Sequence, residues 1–476
     1  MNKIFKNYIY NLLYQIFLIV VPLITAPYLT RVLSSRTLGI YDYINSITSI
    51  ITTFGLIGLQ NYGFRQIAYF RDNKERVSKE FSGILILRLI LLAVVTVIYI
   101  PIVNMSEYRM YYNIQYSLIL AQFVDVSWVF IGFEDLKIVS FRNFLAKFVT
   151  VICIFIFLRD DADLWKYFAV FAFSTLVTTL SVYPVLKKYV SFIRTDLKTI
   201  RQHIVPAVKL FIPQVATLLY LQFDKVMLKS MTGEAAQVAY YAYAEKIINI
   251  PLAIITALGT VMMPRFANLY SNSNKNTIVD YLIKTVNFAM FLAIPMMVGL
   301  ASIASGFMPW YLGEEYSISA TVVIALSPIC VLNALANVFG AQYLTAVNKT
   351  RELTISYYSA AFINLGMNAV LIPYLGCIGA AIATVVCSFT SVIIQLLYVT
   401  KDVSLKILDN NILKNIIASI PMMICILVLK NLMNISAIST FTEVILGGGL
   451  YIICSLSLKE KNCMYVVKTI KKKLQK

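Results

Sequence analysis

Residues 81–103 read FSGILILRLILLAVVTVIYIPIV, a run in which Arg88 is the one charge. That is longer than the ~20 apolar residues a helix needs to cross the ~30 Å hydrocarbon core of a bilayer. A helix on the surface of a soluble domain keeps one face polar; this one is apolar all round, so lipid is its solvent. The rest of the chain has the same character: 59% of its 476 residues are apolar, 13% are charged, and the mean hydropathy is +0.76. Soluble globular chains sit near ~45–50% apolar and ~25% charged. The composition therefore excludes a soluble enzyme and leaves no room for a large aqueous domain.

Working outward from 81–103, fourteen apolar stretches separated by charged or turn-rich breaks read as transmembrane helices, from 9–33 and 39–61 to 412–431 and 438–458. Between them, 112–133, 142–158, 206–229, 238–263 and 317–345 each read as one span. At Pro373-Tyr374-Leu375-Gly376 the sequence predicts a tight turn between helices 354–373 and 376–400. The expected fold is an all-α integral membrane protein.

The formal charge is +18, from 41 Lys and Arg against 23 Asp and Glu. In a soluble protein that excess would point to nucleic acid, but here the basic residues cluster at Arg65 to Lys79, Lys187 to Lys209 and Lys459 to Lys476, alternate loops of an even number of spans. They read as a positive-inside signal placing both termini in the cytoplasm and drawing anionic lipid headgroups to that face. The first span runs on to Arg31 without a small-residue cleavage site, so it is expected to remain in the protein.

A repeat divides the chain. YDYINSI at 41–47 aligns with YAYAEKI at 241–247, and the same offset of 200 brings FRQIAYF at 64–70 onto PRFANLY at 264–270. Six spans separate equivalent points, so the copies share one orientation and are related by a pseudo-two-fold axis along the membrane normal. This predicts two six-helix bundles, 1–190 and 191–404, followed by two further helices and a basic tail at 405–476.

An ionisable group at the bilayer centre costs roughly 3 kcal/mol or more, so intramembrane charges are the functional candidates. These are Arg31, Asp42, Arg88, Asp125, Lys147, Asp224, Lys225, Glu245 and Lys246. Arg88 and Lys147 are placed where they can snorkel to the inner headgroups, and the adjacent pairs Asp224-Lys225 and Glu245-Lys246 can form local salt bridges or line a cavity. Asp125, between AQFV and VSWVF, has access to water only if it faces a cavity. Pro22, Pro27, Pro213, Pro251 and Pro295 fall inside spans, where they either kink a helix statically or mark a hinge.

Enzymatic signatures are missing: the chain has no GxxxxGK[ST], GxSxG or HExxH. GGG at 447–449 reads as close helix packing. The seven cysteines form no CxxC pair, and Cys153, Cys330, Cys377, Cys387, Cys425 and Cys454 lie inside apolar segments and read as small core residues. His203, the single histidine, stands in a basic loop without a partner at metal-ligand spacing and is expected at the solvated surface. No metal or organic cofactor is expected.

Five stretches together resemble the bacterial polysaccharide transporter family, the Wzx-type flippases. They are PLITAPYLTRVLSSRTLGIYDY at 22–43, GLQNYGFRQIA at 58–68, DVSWVFIGFEDLKIVSFRN at 125–143, KLFIPQVATLLYLQFDKVML at 209–228 and VMMPRFANLY at 261–270. One departure is Ser34, where the family usually has Gly after its TRVL stretch. The resemblance implies a flippase of the bacterial cytoplasmic membrane, not an enzyme, that moves an oligosaccharide repeat unit on undecaprenyl pyrophosphate to the outer leaflet for capsule, O-antigen or exopolysaccharide assembly. It implies lumen cations at Arg31 and Lys225, with Arg65 and Arg265 at the cytoplasmic mouth. Asp42, Asp125, Asp224 and Glu245 would couple transport to a proton or sodium gradient or balance those cations. A polysaccharide polymerase and chain-length machinery would be its protein partners. The alternatives are a multidrug extruder of the same superfamily and a membrane polymerase or ligase.

Overall fold

The computed structural model describes residues 3–272, 275–401 and 410–474; several side chains within these ranges, including those before Phe17 and that of Arg265, lie outside the description. Every regular element among the described residues is helical. Among the described residues, eight helical segments are long and apolar enough to cross a bilayer, or nine if Glu314–Leu326 and Ile329–Leu344, bent by 44°, count as one. The sequence expectation of a multi-pass all-α membrane protein holds at this level. The chain divides into two compact units, Met1–Val226 and Met227–Lys476.

The first unit contains α1 (Lys3–Val32), α2 (Ser35–Leu56), α3 (Leu59–Phe70), α4 (Lys74–Met105), α5 (Arg109–Val124), α6 (Ser127–Gly132), α7 (Leu136–Phe157), α8 (Leu164–Leu180), α9 (Tyr183–Leu186), α10 (Leu197–Gln202) and most of α11 (Ile204–Thr232). Ser34 caps α2: its φ is −64°, and its side-chain oxygen accepts the Thr37 N–H at 3.3 Å. Its own N–H and hydroxyl donate to the Asp161 carboxylate at 2.7 and 3.0 Å. Nothing in that backbone calls for glycine, which accounts for the departure at this position.

The span expected at 39–61 ends early, because Ile57 and Gly58 take left-handed conformations (φ 42° and 78°) that separate α2 from α3. The span expected at 112–133 holds as Arg109–Gly132, but its helix is interrupted at Asp125. Short α6 then docks on α3 at glycine contacts. A Cβ on Gly63 would stand 2.7 Å from the Trp128 ring, and one on Gly132 would stand 2.8 Å from the Phe64 carbonyl. Trp128, Val129 and Phe130 are fully buried there with Leu59, Ile67 and Ile84.

His203 is not at the surface. It is fully buried beneath Gly83, with Nδ1 3.0 Å from Tyr62 Oη and 3.8 Å from Glu80 Oε2. Burial pushes the imidazole down to about 4, so it is neutral at physiological pH. The basic residues around it in sequence misled the surface expectation, since the turn between α10 and α11 faces inward here.

The second unit contains α12 (Ala235–Asn272), α13 (Lys275–Leu312), α14 (Ser317–Leu326), α15 (Ile329–Ala336), α16 (Thr350–Thr400), α17 (Asn410–Leu432), α18 (Ala437–Ser457) and α19 (Lys461–Leu474). A straight 51-residue α16 would run ~77 Å, but Gly376 interrupts it with φ 54° and ψ −131°. A Cβ on Gly379 would lie 2.6 Å from the Leu371 carbonyl oxygen, whereas eight residues of straight helix span ~12 Å. The chain therefore doubles back, as the Pro373–Gly376 turn predicts, and Gln237 Oε1 accepts the Cys377 N–H at the bend, 3.0 Å away. The single span expected at 317–345 is divided at Ser327-Pro328 and continues through a π-helical turn, Asn337–Leu344.

Pro295 inside α13 has no N–H for the carbonyl of Phe291, one turn earlier. Tyr451 of α18 supplies the missing donor, its hydroxyl donating to the Phe291 oxygen at 2.8 Å. Of the three glycines at 447–449, Gly447 alone packs closely, 3.0 Å from Ile426 at its Cβ position. Gly448 and Gly449 face open space, which narrows the packing expectation to one residue.

Candidate functional site

The break after α5 leaves its last carbonyls without intrahelical partners. Arg88 of α4, itself fully buried, meets this need. Its Nε donates to the Phe123 oxygen at 3.0 Å and its Nη2 to the Gln122 oxygen. Tyr183 Oη donates to the Val124 oxygen at 2.6 Å, and Trp128 Nε1 to the Asp125 oxygen at 3.1 Å. Arg88 therefore holds the break open for its neighbours and does not snorkel to the headgroups.

Held in this way, Asp125 accepts from Ser127 through the hydroxyl (2.5 Å) and the N–H (3.3 Å). Arg142, two turns into α7, brings Nη1 to 3.8 Å from Asp125 Oδ1, while Nη2 donates to Ser127 Oγ at 2.8 Å. Asn143 Oδ1 accepts from the same guanidinium at 2.9 and 3.1 Å, which fixes its plane. Both members of the ion pair are mostly buried, 13% and 14% exposed at their side chains.

These groups line a half-open polar cavity of about 460 Å³ bounded by α3, α5, α6, α7 and α8. Lys147 lies on its wall near the middle of α7, with Nζ 5.3 Å from the Phe171 ring. It has no carboxylate partner among the described residues and points to the cavity, not to a headgroup. Gln60, Gln122 and Asn143 add amides; Thr150, Ser174 and Thr178 add hydroxyls. Thr150 and Thr178 donate to carbonyls one turn back on their own helices, so their oxygens remain acceptors toward the cavity.

Asp125 and Arg142 neutralise each other, and Lys147 gives the lining a net single positive charge. In a partly dry cavity of effective dielectric ~20, a phosphate oxygen ~4 Å from an ammonium gains ~4 kcal/mol before desolvation is subtracted. Amides and hydroxyls suit the donor-and-acceptor character of sugar hydroxyls. The lining is chemically fitted to an anionic, polyhydroxylated group. Among the described residues no group of three or more His, Cys, Asp or Glu is placed to hold a metal ion.

Of the candidates read from sequence, Asp125 and Lys147 stand in this cavity. Arg31 is exposed on the last turn of α1, its Nη1 donating to the Pro27 oxygen at 2.6 Å. Arg65 is exposed on α3, Asp42 is buried on α2, and Asp224 is buried on α11 beside half-buried Lys225. In the second unit Glu245 is half-buried on α12, next to Lys246, whose Nζ sits 3.8 Å above the Tyr243 ring. The Arg265 side chain lies outside the described residues. Sequence reading missed Arg142, which lies close to the end of its span and looks interfacial. The signal was a basic residue just after the short hairpin that follows Asp125.

Comparison with known proteins follows this geometry. Residues 4–270, more than half the chain, match the family described as "Polysaccharide biosynthesis protein". A "Putative O-antigen transporter" of Shigella dysenteriae is 24% identical over 380 residues, 79% of this chain and 94% of that protein. Its namesake in Escherichia coli K12 is 22% identical, over 82% of this chain and 95% of its own. Among solved structures, a lipid II flippase MurJ in an inward closed conformation superposes with a TM-score of 0.73 at 15% identity, covering 95% of this chain and 98% of its own. An inward-facing multidrug resistance MATE transporter gives 0.61 at 15% identity, over 80% and 97%. These likenesses establish the fold, and the proteins named are transporters and flippases, not enzymes. The chain belongs to the polysaccharide biosynthesis protein family.

Proposed function

We propose that the chain is a flippase carrying a lipid-linked oligosaccharide repeat unit, built on undecaprenyl pyrophosphate, from the cytoplasmic to the outer leaflet of a bacterial cytoplasmic membrane. A sugar headgroup and its phosphates cannot enter hydrocarbon unaided. The observation that carries the reading is the polar cavity inside a membrane-embedded bundle, with Arg142 matched to Asp125 and Lys147 left as surplus positive charge. The O-antigen transporter relatives, aligned over about four-fifths of the chain, support the same substrate class.

In this reading the fourteen spans form two six-helix bundles that alternate access to the two faces, with both termini cytoplasmic. Arg31, Arg65, Lys225 and Arg265 serve as further phosphate-attracting cations along the path. Asp42, Asp125, Asp224 and Glu245 are the candidates for coupling to a proton or sodium gradient, and a polymerase with its chain-length machinery receives the product.

Deletion of the gene with complementation tests this. Loss of surface polysaccharide, with the lipid-linked unit accumulating on the cytoplasmic side, is the expected result. Unchanged polysaccharide with new sensitivity to cationic drugs would instead favour an extruder, the reading to which the MATE-like fold gives some weight.

A further inference from the structure

Next to the polar cavity, along α7 and α8, lies a second hollow, a groove of about 570 Å³ walled by side chains such as Leu145, Val149, Phe157, Val170, Phe173 and Val177. Phe173 is 70% exposed and Val177 48%, so the groove faces the lipid. From Phe141 to Phe157 it follows α7 for ~24 Å, most of the ~30 Å hydrocarbon thickness.

Groove and cavity share five residues: Arg142, Ala146, Thr150, Ser174 and Thr178. Apart from Arg142 these are small, so the apolar groove and the polar cavity adjoin along a narrow line of small side chains. Thr150 Oγ1 and Ser174 Oγ, one on each helix, lie 2.6 Å apart along it. Lys147 faces the chamber on the same helix. Apolar surface, a narrow seam and cationic groups just behind it match the order of parts in a lipid phosphate: chain, neck and anionic head.

We infer that the α7–α8 groove holds the isoprenoid chain of the cargo lipid while its phosphate crosses the seam to Arg142 and Lys147. This rests on the flippase reading and adds to it a place for the lipid chain within the first unit. Charge complementarity selects the occupant. A neutral lipid leaves Lys147 without a counter-ion, and a free sugar phosphate leaves the groove unused.

The test places a photoreactive phenylalanine analogue at position 173 or 177, and at Val97 of α4 as a lipid-exposed control. The full-length protein is reconstituted in phosphatidylcholine vesicles with radiolabelled polyprenyl phosphate. Saturable labelling at 173 and 177 but not at 97, competed by unlabelled polyprenyl phosphate and not by phosphatidylglycerol, is the expected result. Lys147→Gln should weaken it about tenfold and Lys147→Arg should restore it. Equal labelling at Val97, equal competition by phosphatidylglycerol, or labelling indifferent to Lys147→Gln in a normally folded protein would overturn the assignment. If the groove stays unlabelled while the wild type still translocates a lipid-linked saccharide, the groove fails and the flippase reading survives. If the groove labels saturably but nothing is translocated, it is the flippase reading that fails.

Discussion

Arg142 of α7 reaches back across the α5–α6 break to Asp125, Nη1 to Oδ1 at 3.8 Å, and the two share Ser127 as a hydrogen-bonding partner. Removing one member of a mostly buried pair leaves the other charge in a poor solvent, at a cost of about 2–4 kcal/mol. Asp125→Asn and Arg142→Gln are each expected to lower thermal stability in detergent and to cut polysaccharide export. A double-mutant cycle in which the two changes simply add would show that the pair carries no coupling.

Lys147 has a different expected signature, because it has no carboxylate partner to strand. Lys147→Gln should leave the melting temperature within a degree or two and reduce export about tenfold, whereas Lys147→Arg keeps the cation and most of the export. Surface polysaccharide measured against membrane protein level separates the two effects. Normal export by Lys147→Gln would remove this residue from the path.

Arg88 is structural in this account. Arg88→Met fills similar volume but leaves the carbonyls of Gln122 and Phe123 without their donor, a loss of about 1–3 kcal/mol, most of it from the buried Phe123 acceptor. Less protein in the membrane is expected, with export per molecule preserved. Normal abundance with abolished export would give Arg88 a part in transport instead.

Tyr451→Phe tests the link between α18 and the proline-bearing α13. It deletes the hydroxyl that serves the Phe291 carbonyl and also approaches Asn415 Oδ1 at 3.2 Å. A loss of about 1–3 kcal/mol is expected, read as a lower unfolding temperature. An unchanged temperature would mean that the carbonyl finds another donor.

His203 supplies a pH dependence with a definite sign. Its pKa is held down at about 4 in the folded protein against 6.5 when unfolded. Between those values the unfolded chain binds the extra proton, so stability is complete above pH 6.5 and declines as pH falls toward 4, by at most roughly 3 kcal/mol. His203→Gln keeps an acceptor for Tyr62 and should flatten the fall in unfolding temperature over that range. The same slope in wild type and variant would assign it to other groups.

The sequence made the long apolar spans and their turns legible wherever the signal was local. Gly376 marks its own reversal, and the 200-residue repeat places the starts of α2 and α12 at Ser35 and Ala235, 200 positions apart. The breaks at Asp125 and at Ser327-Pro328 are not legible as helix ends, because apolar residues resume directly on both sides of each. The carbonyls freed at the first are taken up by Arg88 on another helix, a tertiary partner that composition does not reveal. The cavity was half legible for the same reason. A lone carboxylate in an apolar run signals a polar environment, but nothing in the sequence pairs it with Arg142, 17 residues later, until the hairpin brings α7 alongside.

The central claim is that this cavity serves the passage of a lipid-linked saccharide, and reconstitution measures it directly. Purified protein in proteoliposomes, loaded with a fluorescent lipid-linked oligosaccharide in one leaflet, should expose the sugar to an impermeant oxidant or lectin on the other side. The rate should be about tenfold lower for Lys147→Gln than for wild type. Translocation by neither protein, or equal translocation by both at equal amounts of folded protein, would contradict the account.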